Sequence, residues 1–200
     1  WVVDPIDGTA PFCNGLHTWG ISIGMMEKGI LTHGAIYLPA FDEIFLTEGE
    51  RVLYSRAGGG FEPLQIKERE INHYGAISIS QSIAKRGSIS VYNPVQCNGS
   101  CVYSMMSLLK GSYLAYVASV KLWDLAAGLA ILLKAGFLGM TVEGRLIGPD
   151  VVSQTYRLSP DDTRRWKTQE HIIFAQNKTV ASYLADRVDI PRLSRPGDFF

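Results

Sequence analysis

Three aspartates carry the chemistry this sequence could perform. Asp4 and Asp7 stand three apart in the opening run Trp1-Val2-Val3-Asp4-Pro5-Ile6-Asp7-Gly8-Thr9, and Asp124 lies in Trp123-Asp124-Leu125-Ala126-Ala127-Gly128. Both runs are otherwise apolar, the kind of surroundings in which bare charge is unfavourable. Three carboxylates give the all-oxygen ligation that hard divalent cations take. Pro5 fixes its own φ and pushes Asp4 toward extended backbone. Gly8 permits a backbone angle or a close approach that a side chain forbids. Thr9 can then start a turn or helix whose free N–H groups face outward, which makes an anion site. Cation ligands and a phosphate cradle therefore fall within six residues.

Plainer readings compete at each motif. Asp, Pro and Gly are common turn residues, so the first motif also reads as a solvated turn. A calcium loop opening at Asp4 does not fit, because two and four residues on stand Ile6 and Gly8 rather than oxygen-bearing side chains. Asp124 could simply cap a helix. That helix is apolar nearly all round (Leu125, Ala126, Ala127, Leu129, Ala130, Ile131, Leu132, Leu133), however, and so is a buried one. A helix dipole contributes about 0.3–1 kcal/mol to an exposed carboxylate. Burying an unpaired charge costs several kcal/mol. A metal ion at the helix mouth resolves that conflict.

The elements that must position these residues follow from periodicity. Residues 1–3 read as a buried strand running into a turn over 4–9. Short β-rich runs at 19–26, 31–38, 43–47 and 51–54, separated by turn residues, predict an antiparallel meander. A soft boundary falls near Asn72, dividing the remaining part of an antiparallel-sheet half (1–72) from an α/β half (73–200). In the second half, strands are expected at 76–80, 88–92, 112–118, 137–142 and 171–175. Helices are expected at 100–110, stopped by Gly111, and at 123–135, closed by Gly136. Asn177 caps a last helix to about Val188. Residues 150–167 read as irregular and 189–200 as an extended surface tail. The fold class is a layered α/β (α+β) sandwich with the site between its halves.

Composition narrows the partners. Lys plus Arg number 19 and Asp plus Glu number 19, so net charge makes no case for a nucleic-acid polymer or an anionic membrane. With 46% hydrophobic residues in 200, the chain can bury a core of one or two domains. The most apolar run, 125–133, is far shorter than the ~20 residues that span a bilayer. Cys13, Cys97 and Cys101 lack a disulfide or zinc pattern and read as buried free thiols. His17, His33, His73 and His171 show no ligand spacing. A soluble, cytoplasmic protein is expected. The chain opens on Trp1 inside a strand-like run, and we expect a preceding N-terminal segment.

In this order and at this spacing, the two motifs resemble the inositol monophosphatase family of Mg²⁺-dependent, lithium-sensitive phosphatases. The likeness spans most of the chain: strands at 21–24 and 34–37, and Gly99-Ser100 before a helix, fall in the expected sequence. The resemblance implies that Asp4 bridges two metals, with the Ile6 carbonyl a ligand of the first. Asp7 and Asp124 would complete the second. Gly8 and Thr9 would offer N–H groups to the phosphate, with Asp4 and Thr9 catalytic and the Thr9 hydroxyl positioning water. Gly99, Ser100 and Asp124 would meet the substrate. A homodimer is implied as well.

The departures from the family pattern matter equally. The family's first metal takes a glutamate from upstream of the first motif, which these residues do not include. Pro11-Phe12 stands where Asn-Phe is usual, Val117 where an acid binds inositol hydroxyls, and Lys134-Ala135-Gly136-Phe137 where Glu-Ala-Gly-Gly is usual. These changes surround the alcohol pocket and leave the substrate open. Candidates are an inositol monophosphate, fructose 1,6-bisphosphate, histidinol phosphate or 3′-phosphoadenosine 5′-phosphate. Lys121 reads either as a contact for a second phosphate or as a surface lysine. A non-catalytic relative is the alternative from another functional class.

Overall fold

Alternation of buried and partly exposed residues along 20–56 builds a meander. The computed structural model, which describes residues 1–189, contains β1 (Val2–Asp7), β2 (Gly20–Glu27), β3 (Ile30–Leu38), β4 (Glu43–Glu48), β5 (Arg51–Arg56) and β6 (Glu62–Pro63). They form one six-stranded sheet in chain order, every pair antiparallel. A short helix, α1 (Thr9–Cys13), follows β1.

The remaining elements are β7 (Ala76–Ile79), α2 (Gln81–Arg86), β8 (Ser88–Ile89), β9 (Val95–Gln96), α3 (Cys101–Leu109), β10 (Tyr113–Ala118), α4 (Leu122–Lys134), β11 (Leu138–Thr141), β12 (Leu146–Ile147), β13 (Ile172–Ala175), α5 (Lys178–Ala185) and β14 (Val188–Asp189). The second sheet runs β12-β11-β13-β10-β7-β9. Its β10–β7 and β7–β9 pairs are parallel and the rest antiparallel. Tyr113, Tyr116 and Phe174 on one face share a core with α3, α4 and the first sheet. Leu114, Val117 and Ile173 on the other face pack with Ile83 of α2 and Val180 and Leu184 of α5. This is a layered α/β architecture: sheet, helix pair, sheet, helix pair. One core cluster includes Leu38 and Phe45 from the first sheet and Leu125 and Phe174 from the second half.

Small residues set how closely α4 approaches the first sheet. A Cβ built on Gly34 would lie 2.3 Å from the Ala127 carbonyl oxygen, and one on Gly24 2.7 Å from Ala126 Cβ. The Ala126-Ala127-Gly128 run thus meets glycines on β2 and β3, while Gly128 itself faces Met105 of α3. At the far end of α3, the buried Glu43 accepts from Tyr54 Oη (2.8 Å) and Lys110 Nζ (2.5 Å). That pairing satisfies a charge between sheet and helix.

Several expectations are corrected. The first motif is not a turn from Asp4 onward: strand geometry continues to Asp7, with an irregular register between Asp4 and Asp7. Helices α1 and α2 and strand β12 had no strong periodic signal. The run 88–92 is strand only over Ser88–Ile89, and α5 stops at Ala185, after which Val188–Asp189 pairs with β8. Of the three free cysteines only Cys101 is buried; Cys13 is exposed. The tail expected beyond Asp189 lies outside the described residues. Among the described residues no helix is long and apolar enough to cross a membrane.

Candidate metal and phosphate site

The register irregularity in β1 explains how two aspartates three apart can act together. In a regular strand, side chains alternate faces, so positions three apart point to opposite sides. The irregularity between Asp4 and Asp7 turns both carboxylates toward α4. Across the β1–β2 pair, Ser22 lies opposite Asp4 and its Oγ donates to the Trp123 carbonyl at 3.4 Å. The first turn of α4 is thereby tied beside β1. Asp4 and Asp7, with Asp124 more than a hundred residues further on, each place a carboxylate oxygen within 4.8 Å of the others.

Each carboxylate has its own restraint. Asp4 Oδ1 accepts from the Ile6 N–H at 3.1 Å. Asp124 Oδ2 accepts from the Lys121 N–H at 3.0 Å. Asp7, 4% exposed, accepts a short hydrogen bond from Ser100 Oγ and another, at 3.2 Å, from the Val102 N–H. Burial, with the Asp124 and Asp4 charges adding to it, pushes the Asp7 carboxyl up to about 7 despite those two bonds. Burial, joined by Asp4, likewise raises Asp124 to about 6, with the Lys121 N–H pulling the other way. Three crowded carboxylates fit a divalent cation: the donors are all hard oxygens, and the repulsion between them is what a cation would relieve.

The open first turn of α1 adjoins them. Gly8 adopts φ +84°, and a Cβ there would lie 2.8 Å from Ser100 Cβ, so only glycine fits. It caps α1, whose first intrahelical bond runs from the Phe12 N–H to the Gly8 carbonyl. The N–H groups of Thr9 and Ala10 precede that bond and lack an intrahelical acceptor. The Thr9 hydroxyl donates to the Ile6 carbonyl at 3.2 Å. Two adjoining hollows, of about 260 and 350 Å³, share Gly8, Thr9, Asp124 and Lys167 as walls. A third, of about 190 Å³, opens near Arg69 and Gly111, and among the described residues no carboxylate side chain lines it.

Gly99 and Ser100 line the smaller of the adjoining hollows. Ser100 is engaged twice already, donating to Asp7 and accepting from the Tyr103 N–H at 3.2 Å as the cap of α3. Val117, at the position where an acid was expected, is turned into the core beside Val180, and Tyr116 supplies the pocket wall instead. Sequence reasoning missed Lys167. It falls in the irregular 150–167 segment, with no motif around it.

A model of the Inositol monophosphatase family matches residues 1–181. The chain belongs to that family. An inositol-1-monophosphatase of Mesorhizobium japonicum is 28% identical over 72% of this chain and 57% of its own length. A fructose-1,6-bisphosphatase/inositol-1-monophosphatase of Aquifex aeolicus is 28% identical over 68% of this chain and 54% of its own. The chain thus spans a little over half the length of these relatives. Some further relatives carry the name Nus factor SuhB. A solved structure of SaIMPase-II bound to inositol monophosphate superposes with a TM-score of 0.69. It is 21% identical and covers 93% of this chain and 68% of that one, a likeness of fold.

Proposed function

We propose that this chain carries the catalytic metal and phosphate site of a cytoplasmic Mg²⁺-dependent phosphoric monoester hydrolase acting on a small phosphorylated metabolite such as inositol monophosphate. One observation carries the reading: three carboxylates from β1 and α4 converge within 4.8 Å, beside the open first turn of α1. Asp4, Asp7, Asp124 and the Ile6 carbonyl would hold Mg²⁺. When bound, the metal lowers the pKa of a water and neutralises charge on the phosphoryl group and leaving oxygen.

The chain's own groups do the rest. The Gly8 and Thr9 N–H groups receive phosphate oxygens. Thr9 commits its hydroxyl proton to the Ile6 carbonyl, so its lone pairs remain to accept from the attacking water and aim it. Ser100 holds Asp7 in place, and Gly99 shapes the wall beside the alcohol. Balanced net charge favours a small metabolite over a nucleic-acid polymer. The family resemblance carries a homodimer with it, which sedimentation would check.

The test is phosphate release by the full-length protein from inositol 1-phosphate, fructose 1,6-bisphosphate, histidinol phosphate and 3′-phosphoadenosine 5′-phosphate, with and without Mg²⁺. Asp124→Asn is assayed beside it. Activity that needs Mg²⁺ and vanishes in the variant is expected. Activity that survives both changes overturns the mechanism, and its absence on every substrate favours a non-catalytic relative.

A further inference from the structure

The segment after β12 is a strap that returns to the mouth of the site. Tyr156, fully buried in the core, anchors it, and a bridge joins Tyr156 to Thr168. The strap then pairs with the turn before α4. The Leu122 N–H donates to the Trp166 carbonyl at 2.8 Å and the Thr168 N–H to the Val120 carbonyl at 2.9 Å. Lys121 and Lys167 lie directly opposite each other between these two bonds. In an antiparallel ladder that is the non-hydrogen-bonded position, where facing side chains stand closest. Trp166 reaches the ladder with φ +72°, a backbone region unfavourable for a bulky side chain.

Two cations set directly opposite one another destabilise a ladder. Both lysines line the same hollow as Asp4, Thr9 and Asp124. Arg157 and Arg164 of the strap are paired with Asp162, at 3.3 and 3.9 Å. The Lys121 ammonium lies 4.8 Å above the Trp123 ring. We propose that Lys121 and Lys167 form a second anion subsite at the mouth of this pocket, selecting substrates that carry a second phosphate besides the one to be cleaved. The proposal rests on the phosphatase reading and sharpens its substrate class to a bisphosphorylated metabolite. Burial, with Arg164 and Lys121 adding to it, already holds the Lys167 ammonium below its usual range, so an arriving anion would relieve a repulsion as well as make a contact. The competing role is internal: lysines balancing the three carboxylates.

Fructose 1,6-bisphosphate and fructose 1-phosphate separate these roles, because they share the ester at C1 and differ only in the distal phosphate. Each is titrated calorimetrically into the protein with Mg²⁺, beside Lys121→Gln and Lys167→Gln, whose folding is checked by thermal melting. Lys121 is exposed, so its variant retains the fold if the other does not. The bisphosphate should bind wild type roughly tenfold tighter, about the worth of one charge-assisted hydrogen bond. Each substitution should erase much of that preference and leave fructose 1-phosphate within about twofold. Equal Mg²⁺-dependent binding of both sugars overturns the subsite and leaves the phosphatase reading standing. Equal losses for both sugars, or a change in Mg²⁺ affinity alone, assign the lysines to the carboxylates instead. Absence of Mg²⁺-dependent binding of either sugar overturns the subsite, and the phosphatase reading is then decided by phosphate release from the other esters.

Discussion

Ser100 Oγ donates a short hydrogen bond to Asp7 although 93 positions separate the two residues. The same hydroxyl caps α3, so one side chain joins the first motif, on β1, to the helix packed against α4. The site is therefore a property of the assembled layers rather than of either motif alone.

Replacing Ser100 by Ala should expose that link. Asp7 would lose a charge-assisted bond worth about 1.5–3 kcal/mol, and α3 a cap worth ~1 kcal/mol. Its carboxyl would hold a proton more tightly, so Mg²⁺ affinity at pH 7 should fall severalfold and recover on raising the pH. Thermal shifts against Mg²⁺ concentration would measure this. A higher KM with unchanged Mg²⁺ affinity would instead make Ser100 a substrate contact only.

Asp124→Asn should separate stability from function. The amide oxygen can keep the Lys121 N–H bond, while repulsion with Asp4 disappears. Metal-free protein at pH 8 should melt no lower than wild type. Mg²⁺-dependent phosphate release should drop by at least about 10–100-fold, the usual loss on disturbing a metal site.

The acid-base balance gives a third expectation. A carboxylate whose folded pKa is raised contributes stability that is full below its unfolded value and is lost as pH rises through the folded one. For Asp7 the loss runs from 3.8 to about 7, and for Asp124 from 3.8 to about 6. His171 runs the other way: burial lowers it to about 4, so its contribution is present above 6.5 and lost as pH falls. Two carboxylates outweigh one imidazole in their common window. In EDTA the protein should melt about 3–6 °C lower at pH 8 than at pH 5.5, as expected for a net loss of about 1.4 kcal/mol in a chain of this size. Mg²⁺ should restore most of the difference at pH 8. A midpoint that climbs with pH in EDTA would contradict the assignment.

Gly8→Ala should disable the cradle. Its φ of +84° and the 2.8 Å approach to Ser100 Cβ predict a loss of about 1–3 kcal/mol, read from urea unfolding. Phosphate release should fall further than stability alone explains, because the Thr9 N–H would shift with the backbone.

The three clustered aspartates stood out because of their neighbours: Asp124 sits on a helix otherwise rich in Leu, Ile, Ala and Gly, and Asp7 ends a strand just before Gly8. The antiparallel meander was legible for a related reason, since alternating burial repeats along β2, β3 and β4. Short elements escaped. Helices α1 and α2, at five and six residues, are too brief for a periodic pattern and owe their form to tertiary packing. The bulged strand at Asp4–Asp7 looked like a turn, since Pro and Gly mark both. Lys167 could not be found from spacing, because backbone pairing with Lys121, 46 positions away, is what brings it to the pocket.

The seam at Gly34 and Ala127 has a mechanical implication. With backbone this near to backbone, α4 has no freedom to slide along β3, and the piece carrying Asp124 is locked in register with the sheet carrying Asp4. On the phosphatase reading, adaptation to a differently sized phosphate ester would come from the rim contributed by the strap, while the spacing of the three carboxylates stays fixed.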